Sequence, residues 1–195
     1  MKKILAIVLV LVMVMAMAGC NNNGGETTTA AITTPSVVAP NTALGLLESV
    51  WANFAEDEKF AVIGGDFGNP VDNAPGSYSL EEAEGLSATL LIPADQLANV
   101  TEAATMVHMM NANTFTGGVV RLAEGTVASA FAKAVRDAIQ NNQWMCGFPE
   151  KMLVATLGDY IIIAYGLNDA MNPFQLHLVE AYADTDLTFN ELIGG

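Results

Sequence analysis

The sequence has little cysteine and little positive charge, and each shortage argues against a class of function. Cys20 and Cys146 are the two cysteines among 195 residues, and they form no CxxC pair for dithiol redox chemistry. Seven Lys and Arg stand against 21 Asp and Glu, a formal net charge of −14. The bases after Lys3 are scattered, whereas nucleic-acid binding needs them clustered against phosphates. We therefore expect no nucleic-acid partner.

Catalytic and cofactor-binding motifs are missing as well. The chain has no HExxH and no G-x-S-x-G, and Gly64 and Gly65 are not followed by the Lys and Ser or Thr of a phosphate-binding loop. We accordingly predict no catalytic residues, no cofactor and no resident metal. The chain is predicted not to be an enzyme.

The composition favours a compact core. Hydrophobic residues make up 52% of the chain and charged residues 14%. About 150 residues remain after the polar N-terminal region is set aside, which suffices for one domain with a sizeable core.

The first 19 residues have the layout of a signal peptide. Lys2 and Lys3 precede an unbroken apolar run over residues 4–18, and Ala18 and Gly19 lead to Cys20. The run is shorter than the roughly 20 residues that a membrane-spanning helix needs. The small residues before Cys20 resemble the bacterial lipobox, which predicts cleavage there and lipidation of Cys20 with fatty acids such as palmitate. An ordinary secretory signal that happens to end near a cysteine is the alternative.

Residues 20–40 are predicted to form the lipidated cysteine and a flexible linker, because they are rich in Asn, Thr, Gly and Pro without apolar periodicity. The folded domain is expected at residues 41–195. Loss of residues 1–19 would leave five bases against 21 acids, a net charge of −16 that repels anionic lipid. We therefore expect a bacterial cell-membrane location on the extracytoplasmic face, with the lipid on Cys20 as the membrane contact.

Apolar residues at three- and four-residue steps predict four helices. They are expected at residues 42–56, at residues 79–92 before Pro93, in a segment capped by Thr126 that ends at Asn141, and at residues 168–183 before an acidic tail.

Two β-hairpins are predicted between these helices. Residues 101–110 and 115–122 form one pair; residues 152–157 and 160–165 form the other, joined by a tight turn at Gly158 and Asp159. A further short strand is possible at residues 60–63, and residues 64–77 are expected to be a loop. The predicted fold is α+β, a four-stranded antiparallel sheet from two hairpins with helices packed on one face.

Three segments are candidate sites, each with a structural alternative. Met106, His108 and Met110 would share a strand face and offer soft ligands for copper, but core packing is the favoured interpretation. Residues 64–73 hold several oxygen ligands suited to calcium, although turns use the same residues.

The segment of residues 143–149 is the most unusual. Trp144, Cys146 and Phe148 would form an exposed patch for a protein partner or a reactive thiol. The favoured alternative is a buried connection in which Trp144 and Phe148 cover the end of the sheet.

Much of the chain after the linker resembles a group of small lipoproteins from anaerobic Gram-positive bacteria, often labelled bacteriocin transport accessory protein. The resemblance spans about residues 44–182 and rests on these segments: LESVWANFAEDEKF, VIGGDF, AATMVHMMNANTFTGG, QWMCGFP and LGDYIIIAYG. It implies an extracytoplasmic lipoprotein and no catalytic residue. The label elsewhere implies a thioredoxin-like CxxC protein, but here Met145-Cys146-Gly147-Phe148 lacks the second cysteine.

These observations leave three functional hypotheses. The first is a non-enzymatic interaction or transport-accessory module held at the membrane. The second is a small-ligand or metal-binding lipoprotein that uses His108 or residues 64–73. The third is thiol redox chemistry through Cys146.

Overall fold

A computed structural model describes residues 41–194, apart from the side chain of Asn111. The predicted signal peptide, Cys20 and the linker lie outside the described residues. The described chain contains four α-helices and eight β-strands: α1 (Ala43–Ala52), β1 (Val62–Gly64), β2 (Val71–Asp72), β3 (Gly76–Ser77), α2 (Ala83–Leu90), β4 (Val100–His108), β5 (Phe115–Leu122), α3 (Ala128–Gln140), β6 (Lys151–Leu157), β7 (Tyr160–Gly166), α4 (Asn168–Ala181) and β8 (Asp186–Leu192).

The strands form one antiparallel sheet in the order β2-β1-β4-β5-β7-β6-β8, and β3 pairs separately with β4. Both predicted hairpins are confirmed: β4 pairs with β5, and β6 pairs with β7. Gly158 has a φ of +61° in the turn of the second hairpin, where Leu157 lies opposite Tyr160. The two hairpins are joined side by side through β5 and β7.

The sheet is buried on both faces. Side chains along β7 alternate between two hydrophobic cores: Ile162 and Ala164 point into the first, Ile161 and Ile163 into the second. Helices α1 and α4 cover the first core, and α2 and α3 cover the second. All seven residues of β7 are buried, which explains its continuous apolar run.

The α+β class and the antiparallel sheet are confirmed, but the predicted four strands and single covered face are wrong. The sheet has eight strands and helices on both sides. The expected acidic tail contains the edge strand β8, which pairs with β6. The expected loop of residues 64–77 contains β2 and β3 as well as the end of β1.

The helix boundaries follow local capping. Thr42 begins α1 because its hydroxyl oxygen accepts a hydrogen bond from the Gly45 N–H at 2.9 Å. Ser79 accepts one from the Glu81 N–H and starts a short 3₁₀ turn before α2. The predicted cap at Thr126 is wrong, since Val127 occupies the capping position of α3 and is exposed. In the described part of the chain, no helix has both the length and the apolarity needed to cross a membrane.

Candidate functional site

Residues 143–149, between α3 and β6, form an apolar loop with one partly buried anchor, Trp144; we call them the Trp144 loop. The Trp144 ring packs against the second core and lies 5.2 Å from the Tyr165 ring between centroids. Beyond this anchor, Met145 is 87% exposed and Phe148 68% exposed. The favoured prediction of a buried connection holds only in part for Trp144, which is partly buried, and is wrong for Phe148.

Cys146 lies on the same loop as an exposed free thiol. Its neighbours Met145 and Gly147 are uncharged, and no charged residue occurs from Asn141 through Pro149. The structure therefore brings Trp144, Cys146 and Phe148 together on one loop, with two of them facing solvent.

His108 lies elsewhere, on the first core's side of the sheet. Its ring stacks on Phe60, with centroids 4.9 Å apart and planes 7° from parallel, and Phe60 packs against the first core. Burial of the ring lowers the pKa of His108. The structure thus separates His108 from the Trp144 loop, which packs against the opposite core.

The structure places the three ligands of the copper hypothesis, Met106, His108 and Met110, in different surroundings. Met106 is fully buried in the first core, whereas Met110 follows the end of β4 and is exposed. His108 Nδ1 accepts a hydrogen bond from the Met110 N–H at 2.9 Å. Within residues 41–194, no group of three or more His, Cys, Asp or Glu side chains is arranged to hold a metal.

Asp66 organises the oxygen-rich segment of residues 64–73 through hydrogen bonds from backbone N–H groups. Asp66 Oδ1 accepts hydrogen bonds from the N–H groups of Gly68 and Asn69, each at 2.8 Å, and Oδ2 accepts one from the Ser79 N–H at 3.1 Å. The Ser79 bond is the largest of the effects that hold the pKa of Asp66 below its usual value. The carboxylate charge is thus already stabilised by backbone donors.

The glycines of this segment allow two backbone stretches to approach closely. A Cβ added at Gly76 would lie 2.5 Å from the backbone nitrogen of Gly65, closer than side chains tolerate. Gly64 and Gly65 therefore pack against residues 75–76.

A cavity of about 500 Å³ lies between the end of β1 and α2; we call it the β1–α2 cavity. It is lined in part by residues 64–67 and Pro70, which belong to the segment predicted as a small-ligand site. Its walls include residues 63–67 and 88–89, and aromatic side chains of Tyr78 and Tyr165. The Tyr165 hydroxyl donates a hydrogen bond to the Thr89 carbonyl oxygen at 2.7 Å. None of the lining residues is Lys, Arg or His.

The Tyr78 hydroxyl lies against α2. The residue is 5% exposed, and a Cβ added at Gly85 would lie 2.4 Å from its Oη. Burial raises the pKa of Tyr78 most strongly, and a hydrogen bond with the Thr89 side chain lowers it. The charges of Asp66 and Glu82 raise the pKa further, so the hydroxyl keeps its proton.

The structure also places a histidine between two carboxylates, an arrangement that the sequence does not indicate. His177 on α4 is 8% exposed, and its Nε2 and Nδ1 each lie 2.9 Å from a carboxylate oxygen, of Glu58 and Glu180 respectively. Burial opposes protonation most strongly as a single effect, but the two carboxylates together outweigh it and raise the pKa of His177. The Glu56-Asp57-Glu58 turn thus includes two ion-pair partners, since Glu58 pairs with His177 and exposed Glu56 pairs with Lys59.

Comparison with known proteins identifies no relative: no protein-family model, curated protein or solved structure matches the chain. The resemblance to small lipoproteins of anaerobic Gram-positive bacteria accordingly stays a prediction, and the function has to be argued from the chain's own residues.

Proposed function

We propose that the protein is a bacterial lipoprotein held on the extracytoplasmic face of the cell membrane by lipid on Cys20, and that it works there as a non-enzymatic interaction module. The layout of residues 1–20 supports the anchor. The linker of residues 21–40 gives the domain reach from the membrane. The Trp144 loop is the contact surface for a protein partner.

The proposed function rests on the exposure of Met145 and Phe148 next to Trp144, which packs against the second core. Large apolar side chains that extend together into solvent characterise binding surfaces, because partner contact removes them from water. Trp144 holds one end of the loop against Tyr165, so less of the loop must be ordered on binding.

Charge favours a protein over the lipid bilayer as the partner of this loop. The chain from Cys20 onward carries a net charge of −16, which opposes close approach to anionic lipid. The uncharged loop, by contrast, can fit an apolar depression on a protein surface without burying a charge.

Site-directed photo-cross-linking tests the proposal in native membranes. A benzophenone maleimide on Cys146 should give a discrete protein adduct after irradiation. In the matched control, Cys146→Ser is combined with Ser49→Cys, which moves the label to exposed Ser49 on α1. The control should not give this adduct, because α1 covers the opposite core.

A paired substitution tests the apolar contact itself. Met145→Ser with Phe148→Ser should abolish the adduct, whereas Met109→Ser with Met110→Ser should keep it, since those methionines are similarly exposed at 54% and 58% but lie at the end of β4. Equal adducts from both labelling positions, or no adduct from Cys146, would reject the proposed contact surface.

A further inference from the structure

We infer that His177 is a pH-sensitive switch, which holds residues 53–59 against α4 while its ring is protonated and loosens them when the proton is lost. These residues connect α1 to β1, and we call them the α1–β1 turn. The His177 ring lies 4.8 Å from the Phe54 ring of the first core. The switch is therefore independent of the contact proposed for the Trp144 loop, which packs against the second core.

Two carboxylates approach the His177 ring from different parts of the chain. Nε2 lies 2.9 Å from Glu58 of the α1–β1 turn, and Nδ1 lies 2.9 Å from Glu180, three positions further along α4. A neutral imidazole carries a single N–H, whereas the imidazolium donates from both nitrogens. The protonated ring alone can therefore donate to both carboxylates at once, and both hydrogen bonds are then charge-assisted.

The two carboxylates have different roles in this arrangement. Glu58 Oε2 also accepts a hydrogen bond from the Ala55 N–H at 2.9 Å, so the carboxylate that contacts the ring also closes the turn. Glu180 lies on the helix that carries His177, and its side chain is 55% exposed, so it can rotate into water without moving the backbone. Glu58 thus connects the turn to α4, whereas Glu180 adds negative charge beside the ring.

Burial makes the charge of this ring depend on its partners, because His177 is 8% exposed and packs beside Phe54. The neighbours of Glu58 are arranged differently: Glu56 pairs with Lys59 at 2.8 Å, and Asp57 is exposed. Burial lowers the pKa of His177, but the two carboxylates outweigh it and raise the pKa. The α1–β1 turn is therefore held fully below about pH 6.5, the ordinary histidine value, and loosens as the pH rises through the folded pKa.

Loosening of the turn would also change the surface beside it. The turn forms one wall of a cavity of about 320 Å³, and His108 and Asp169 line other parts of that cavity. The neutral ring still donates one hydrogen bond, so the turn should open more often without unfolding the domain. The openness of this cavity would thus depend on pH.

Amide hydrogen exchange measured by NMR tests the inference. The chain from position 20 onward, with Cys20→Ser, contains every described residue. The N–H groups of Glu58 and Lys59 donate to the Ala55 carbonyl oxygen and report on the turn, whereas the amides of β7 report on global unfolding. Protection factors are compared, because they remove the intrinsic dependence of exchange on pH.

We expect the protection factors of the turn amides to fall about fivefold between about pH 5.5 and about pH 8.5, as the loss of a charge-assisted hydrogen bond predicts. At both pH values the turn amides should be less protected than those of β7, which identifies local opening.

Four variants assign the effect. His177→Gln should abolish the fall, whereas His108→Gln, at the other histidine of the chain, should keep it. Glu58→Gln should remove most of the fall, because the link to the turn is then no longer an ion pair. Glu180→Gln should keep the fall and move its midpoint to lower pH, since one carboxylate no longer favours the charged ring.

Well-dispersed amide spectra of each variant would show that it is folded. The inference is overturned if the turn amides of the parent protein are equally protected at both pH values, or if they are as protected as those of β7. It is also overturned if His177→Gln shows the same fall as the parent, or if Glu58→Gln keeps the fall while Glu180→Gln abolishes it.

Discussion

Replacing Leu90 and Gly118 by Ala, singly and together, should change the free energy of unfolding in a strongly non-additive way. Leu90 is fully buried on α2 and packs over Gly118 of β5, where a Cβ would lie 2.5 Å from Leu90 Cδ2 and 2.8 Å from Cδ1. This contact fixes α2 against the sheet, and α2 supplies one wall of the β1–α2 cavity.

The structure sets the expected magnitudes. Leu90→Ala removes a buried side chain and leaves a cavity, which should destabilise the protein by about 3 kcal/mol. Gly118→Ala overfills the same space and should cost roughly 1–2 kcal/mol. In the double variant the added methyl group occupies space vacated by Leu90, so the total should be lower than the sum by about 1 kcal/mol. Relief is partial, because the methyl group would still lie 3.1 Å from the Ala104 carbonyl oxygen.

Urea unfolding of the four proteins, followed by circular dichroism, measures this coupling. Leu90→Ala combined with Gly158→Ala is the additive control, since a Cβ at Gly158 would meet no atom within 4 Å. Additive losses for Leu90 and Gly118 would refute the packing of α2 on β5 described here.

Three further predictions concern other parts of the domain. Gly158→Ala should cost roughly 1–2 kcal/mol in urea unfolding, because Gly158 has a φ of +61° that Ala adopts poorly. The raised pKa of His177 means that its protonated form stabilises the fold fully below about pH 6.5, the usual value for the unfolded chain, and that this stabilisation is lost as pH rises through the folded pKa. Unfolding titrations should show that loss above pH 6.5 in the parent and not in His177→Gln; equal pH profiles would contradict the contacts with Glu58 and Glu180. Exposed Cys146 should react with a maleimide in the native state as fast as it does in urea, and strong protection by folding would contradict its position.

The sequence predicts the centre of the fold because local patterns suffice there. Strands β4 to β7 carry continuous or alternating apolar residues, and Gly158 with Asp159 specifies a two-residue turn. The strands at the edges of the sheet are not predicted from the sequence, because their local patterns are weak. No residue of strand β8 is fully buried, and the strand contains Asp186, Asn190 and Glu191, so its apolar signal is weak. Its pairing with β6 stabilises it.

The candidate sites were predictable only where they are continuous in sequence. The Trp144 loop combines aromatic side chains, a thiol and backbone breakers within seven residues, so its unusual character is visible, although the exposure of Phe148 is not. One wall of the β1–α2 cavity lies in the predicted ligand segment of residues 64–73. Its other walls depend on distant contacts such as that between Tyr165 and Thr89, 76 positions apart. The ion pair between His177 and Glu58 spans 119 positions, and no local pattern specifies either contact.

Intact-mass analysis of the protein purified from native membranes tests the anchoring proposal most directly. We predict a chain that begins at Cys20 and carries the added mass of a diacylglycerol group on its sulfur, with or without a further acyl chain on its new amino group. A mass that includes Met1, or an unmodified Cys20, would contradict it.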